Sequence, residues 1–195
     1  MSEIFVNRDM EHLNTIQSLA RGDRTRAFAA LNNLFRNGTL PDPAPDGRYG
    51  GEMIAIDIAP GATPFFRWLA NRWMPWKGKT FDPSRQRGDN ILTKDSYFLA
   101  RLFNPLYRGF HTDSALTYRA FAFHTYAAPG LFDKDRTVLK IDYNLKENPA
   151  WTVRRVLDEL IQLEQGLYLG KAHVRWWRGT WQTVAYFSLI QTDSS

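Results

Sequence analysis

The chain has 195 residues, 44% of them hydrophobic, which suits one domain with a substantial core and excludes an intrinsically disordered protein. It contains no cysteine, so disulfides, thiolate catalysis and thiolate metal sites are excluded. The net charge of +5 raises nucleic acid or an anionic membrane as partners, but the cations are scattered among acids and the densest group is only Lys77, Lys79, Arg85 and Arg87. With neither a recognition-helix pattern nor an RNA-binding aromatic signature, nucleic acid is not an expected partner.

The first twenty residues carry Glu3, Arg8, Asp9, Glu11 and His12 and no apolar run of the signal-peptide kind. No stretch approaches a membrane-spanning length, so the expected setting is the cytoplasm. Leu13, Ile16, Leu19 and Ala20 form one helical stripe that stops at Gly22, and Ala27, Phe28, Leu31, Leu34 and Phe35 form a stronger one that stops at Asn37-Gly38. The segment Leu40-Pro41-Asp42-Pro43-Ala44-Pro45-Asp46-Gly47 can hold neither a helix nor a ladder, because prolines alternate through it. Residues 1–45 therefore read as a helical segment with a proline-rich linker, and residues 46–195 as a β domain.

Beyond the linker the hydrophobic period changes to two. Tyr49 to Ile58 reads as a first strand, with Ile54, Ile56 and Ile58 on one face. Thr63 and Pro64 then suit the start of a helix that presents Phe65, Phe66, Leu69 and Trp73 on one side. Further strands are expected at Trp76 to Phe81, Asp89 to Thr93, Tyr97 to Phe103, Leu116 to Tyr126 and Thr137 to Tyr143. Asn148-Pro149 opens a short helix, and Val156 to Arg175 and Thr180 to Ile190 complete the set. Eight or nine short strands with 14% aromatic residues suit a mainly β, antiparallel closed barrel or sandwich.

The Val156 to Arg175 stretch carries the adjacent acids Asp158 and Glu159, which point to opposite faces if it is a hairpin. A two-residue turn at Gln165-Gly166 pairs Glu159 with Ala172 and Asp158 with His173. A three-residue loop with Gly166 left-handed pairs Glu159 with Lys171 and Asp158 with Ala172. The second is favoured, since Gln is a poor residue for positive φ. It predicts a Glu159–Lys171 ion pair and puts Asp158 on a face with Leu160, Gln162, Tyr168, Gly170 and Ala172. A helix from Pro149 to a Gly166 cap is the competing reading, with both acids on a solvated face.

On the strand Leu116 to Tyr126, alternation groups Tyr118, Ala120, Ala122, His124 and Tyr126, and the two alanines leave space beside the polar rings. A carboxylate in a dry pocket would titrate nearer neutrality and could serve as a general acid or base, with Asp158, Glu159 and His124 as candidates. His12, His111, His124 and His173 lack metal-ligand spacing, and neither a metal nor a cofactor is expected. Gly78-Lys79-Thr80 imitates the end of a phosphate loop, but Trp73 stands where its first glycine belongs. Gly47-Arg48-Tyr49-Gly50-Gly51 has the wrong spacing for a dinucleotide fingerprint, and no serine sits in a Gly-x-Ser-x-Gly elbow.

The order of strand, helix and many strands over roughly Gly47 to Gln191 resembles the calycin group, the lipocalin and fatty-acid-binding-protein barrels. Trp76-Lys77-Gly78-Lys79-Thr80-Phe81 resembles the Trp-containing glycine-lysine strand of small bacterial barrels, although Tyr49 replaces the tryptophan of their Gly-x-Trp-x-Gly motif. Tyr168-Leu169-Gly170-Lys171 and Ala185-Tyr186-Phe187 resemble strands of an uncharacterised bacterial family. What the resemblance implies is a barrel holding an apolar or amphipathic molecule.

The expected ligand-binding set is Trp76, Tyr118, His124, Tyr126, Asp158, Glu159, Tyr168, Lys171 and Tyr186. A cofactor-independent isomerase, cyclase or lyase using a pocket carboxylate and His124 is one alternative, and a protein-interaction module built on the N-terminal helices is another. A homodimer stays open.

Overall fold

The computed structural model describes residues 2–57, 76–103 and 105–192. Helices α1 (Ser2–Gly22) and α2 (Arg24–Asn37) precede nine strands. These are β1 (Gly47–Ile56), β2 (Trp76–Asp82), β3 (Arg87–Thr93), β4 (His111–Thr112), β5 (Thr117–Pro129), β6 (Thr137–Asp142), β7 (Val156–Glu164), β8 (Leu167–Arg175) and β9 (Trp181–Gln191). Every pairing is antiparallel, and the order β3-β2-β1-β9-β8-β7-β6-β5 is closed by the pairing of β3 with β5, which makes an eight-stranded barrel. The two-residue β4 adds to β5 outside that ring. Closure gives each of the eight barrel strands a neighbour on both sides and one inward and one outward face.

Asp23 caps α2 by accepting the Arg26 N–H at 3.0 Å, which separates it from α1 without a long loop. Leu13, Ile16, Ala27, Leu31 and Phe35 are buried in one cluster with Ile54, Ile161, Leu167, Leu169 and Tyr186. The two helical stripes are thus covered by the outer face of the chain's own barrel. The proline-rich segment after α2 lies against the barrel: Thr39 bridges to Gln162, and Leu40 packs on the interior cluster.

One predicted strand is a helix. Tyr97–Phe103 forms α3, entered through a 3-10 turn at Lys94–Ser96. A seven-residue apolar run carries no period that separates strand from helix, and here the 3-10 turn decides it. Asn148-Pro149 leads only to a 3-10 turn at Val153–Arg155. The helix predicted from Thr63 to Trp73 lies outside the described residues.

The Asp158-Glu159 stretch is a hairpin and no helix. Gly166 has φ +80°, and Glu164 pairs with Leu167, so the turn itself is the two-residue Gln165-Gly166. A bulge between Gln162 and Glu164 then shifts the register, and Glu159 pairs with Lys171 and Asp158 with Ala172, the pairing expected of a three-residue loop. The predicted ion pair between Glu159 and Lys171 is replaced: Glu159 is bound by Lys140 from β6, and Lys171 by Asp133 at 2.6 Å.

Candidate binding site in the barrel

Alternation along the closed strands sends Tyr49, Phe81, Phe123, Leu139, Ile141, Tyr143, Leu160, Tyr168, Phe187 and Leu189 into one buried interior cluster. Phe81 meets Tyr49 at 5.5 Å and Phe123 at 5.4 Å, and Tyr49 meets Tyr168 at 5.4 Å, with edge or tilted ring geometries. The Phe187 ring lies directly over Gly170, where an added Cβ would collide with it. The rings of Trp76 and Phe123 cover Gly51 and Gly88 in the same manner. Three inward glycines thus act as floors for three aromatic rings.

Within this apolar interior sits one polar constellation. Lys79 from β2 donates to Asp158 from β7 at 3.0 Å, to Asn90 from β3 at 2.9 Å and to the Tyr143 hydroxyl. The Asn90 Oδ1 also accepts from the Trp76 indole at 3.1 Å and from Tyr143 at 3.1 Å, while its amide donates to the Phe121 carbonyl at 3.1 Å. The Lys79 ammonium lies 5.1 to 5.5 Å from the ring centroids of Tyr143, Phe187, Phe123 and Trp76. Burial pushes the Lys79 amine below its ordinary value, against the pull of Asp158. Burial together with the Asp158 charge pushes the Tyr143 hydroxyl well up. A charge removed from water is tolerated here because it is paired and hydrogen-bonded.

A second polar network lies on the opposite face of β7 and β8, beneath α2. Glu159 is bound by Lys140 and by the Leu131 N–H, and its Oε2 stands 3.2 Å from the His173 Nε2, whose ring Nδ1 faces Thr183 at 3.1 Å. Burial opposes ionisation of Glu159, but His173 and Lys140 beside it outweigh burial and hold the carboxyl at about 2. Beside it Lys171 donates to Asp133 and, at 2.8 Å, to Asn32 of α2, while Arg36 of α2 binds Asp133 at 2.6 Å and Asp135 at 2.8 Å. The Phe35 ring of α2 stands 4.2 Å from the Lys171 ammonium. This arrangement fastens a helix to a sheet.

The residues expected to share one cavity fall into three places. Trp76, Tyr118, Asp158 and Tyr168 are inside the barrel, with Tyr118 sharing a hydrogen bond with Ser96 at 2.9 Å. Glu159, Lys171 and Tyr186 are in the network under α2, where the Tyr186 ring meets Phe28 of α2 at 5.2 Å. His124 and Tyr126 are on the exposed outer face. The reason is a β-bulge: Phe121 has φ +58°, and the register of β5 against β3 shifts there, so parity changes between Ala120 and Phe123.

Lys79, Asn90 and Tyr143 were absent from the expected set, yet alternation carries a signal for them. Lys79 shares a face with Phe81, Asn90 with Leu92, and Tyr143 with Leu139 and Ile141. Among the described residues no cluster of three metal-ligating side chains occurs. No described helix is long and apolar enough to cross a membrane. Comparison with known proteins found no matching family model, no matching curated protein and no matching solved structure.

Proposed function

We propose that the barrel binds an apolar or amphipathic small molecule in its interior, in the manner of a calycin-like carrier and in a cytoplasmic setting. The observation that carries this reading is the Lys79–Asp158 pair, enclosed with Tyr143 and Asn90 among four aromatic rings. An apolar space with a few convergent polar groups is the usual form of a small-molecule site. A buried pair of this kind is weak as a source of stability, and this supports a use in recognition. The ligand body takes the volume of the rings above Gly51, Gly88 and Gly170 as they turn aside, and its polar group meets Asp158, Lys79 and Tyr143. Trp76, Tyr118 and Tyr168 contribute the remaining walls.

The test is native mass spectrometry of protein purified without added ligand. A retained lipid-like or aromatic mass, lost in Asp158→Leu with Lys79→Met, is the expected result; a preparation that stays empty and whose Trp fluorescence ignores a panel of such molecules contradicts it. The lowered amine of Lys79 beside Asp158 favours a second reading as a cofactor-independent isomerase, cyclase or lyase. Its acid–base groups are Lys79, Tyr143 and Asp158, because His124 is on the outer surface. Turnover of the retained molecule that collapses in Asp158→Asn would select that reading over a carrier.

A further inference from the structure

The exposed apolar side chains are gathered at one end of the barrel. Strands β1, β3, β6 and β8 finish at this end and β2, β5, β7 and β9 start from it, so the connections 94–116, 143–155 and 176–180 all project there. Among the described residues nine large hydrophobic side chains are exposed, and seven of them lie in these three connections. Leu106 is 92% exposed, Leu116 79%, Trp151 74% and Phe98 73%, and Leu102 lies one turn after Phe98 on α3. The backbone bond from Lys94 N–H to the Leu116 carbonyl at 2.9 Å joins the α3 connection to the turn before β5. Trp177 stands at the tip of another connection, with the Arg155 guanidinium 4.8 Å from its ring.

Charge follows the same division. These three connections contain seven lysines and arginines against three acids, whereas the connections at the opposite end, 38–46, 83–86, 130–136 and 165–166, contain three against four. Exposed apolar side chains and an excess of cations at the same end match the interface of an anionic bilayer, where aromatic and aliphatic side chains enter the headgroup region and basic ones stay among the phosphates.

We infer that this end of the barrel docks on anionic lipid surfaces. The inference does not depend on what the interior holds. Sedimentation with vesicles tests it, using phosphatidylcholine alone and phosphatidylcholine mixed with an equal amount of phosphatidylglycerol. The wild-type chain should pellet with the mixed vesicles and remain in solution with phosphatidylcholine alone. Arg108→Gln and Arg178→Gln should each lower partitioning about fivefold, as expected for the loss of one interfacial cation, and added salt should act in the same direction. Leu106→Asp with Trp151→Asp should abolish binding while leaving the thermal melt unchanged, since both side chains are in solvent.

Wild-type protein that stays in solution with anionic vesicles overturns the inference, as does a Leu106→Asp/Trp151→Asp variant that pellets like wild type. A lipid-independent dimer that the same variant converts to monomer also overturns it, by assigning the patch to a second copy of the chain. Should the aspartate variant fail to fold, the two glutamine variants decide the matter: no loss of partitioning in either overturns the inference.

Discussion

Strands β7 and β8 carry two buried polar networks on opposite faces, and the two differ in what surrounds them. The inner one holds a single cation and a single carboxylate, Lys79 and Asp158, drawn from strands on different sides of the barrel and enclosed by aromatic rings. The outer one comprises two groups: Arg36, Asp133 and Lys171 join α2, the loop 130–136 and β8, while Lys140, Glu159 and His173 join β6, β7 and β8, with the Leu131 N–H of the same loop on Glu159. The Arg36–Asp133–Lys171 group has an evident structural use, since it ties helix, loop and sheet together. The inner pair ties β2 to β7 within a barrel whose ladder is already closed, so its cost of desolvation has no comparable return in connectivity.

Breaking one partner of the inner pair gives the largest expected effect. Lys79→Met or Asp158→Leu alone leaves a buried, uncompensated charge and should destabilise by about 3–5 kcal/mol. The double variant should recover most of that loss in urea denaturation. A double variant as unstable as the singles would instead assign the pair a structural role like that of the outer network.

Gly170→Ala follows, because the new methyl group meets the Phe187 ring. Overpacking of this kind costs about 1–3 kcal/mol, and pairing it with Phe187→Leu should return the midpoint towards wild type.

The outer network should show itself in acid. The Glu159 carboxyl is held at about 2 in the folded chain against an ordinary 4.5, so its stabilisation is complete above the ordinary value and is lost as pH falls towards about 2. Urea midpoints measured downward from about pH 6 should fall through that window. Glu159→Gln should start lower and flatten the fall. The comparison for the inner pair rests on the double variant above. His124→Ala has the smallest expected effect, within about 0.5 kcal/mol, because the side chain is on the surface. A larger loss would return His124 to the interior.

Much of the barrel is legible in strand alternation, and the place of the hairpin is legible in Gly166, the left-handed residue of its turn, while the register of Asp158 and Glu159 is set by a bulge between Gln162 and Glu164. Three things are not legible. The bulge at Phe121 places a bulky residue at φ +58°, which no local preference announces, and every parity inference beyond it reverses. The run Tyr97–Phe103 is too short to declare its period. The meeting of Lys79 with Asp158 needs closure of the barrel, which brings together side chains 79 positions apart. Gly170 suggests space, but which ring occupies that space depends on the register of β9 against β8.

The most direct measurement compares two double variants by native mass spectrometry and hydrogen exchange. With Lys79→Met/Asp158→Leu, the account expects loss of the retained ligand and unchanged protection of α2. With Lys171→Met/Asp133→Leu, it expects the ligand to be retained and α2 to exchange faster. Loss of ligand only in the second variant, with α2 still protected, would contradict the assignment of the inner face to binding and the outer face to fastening the helix.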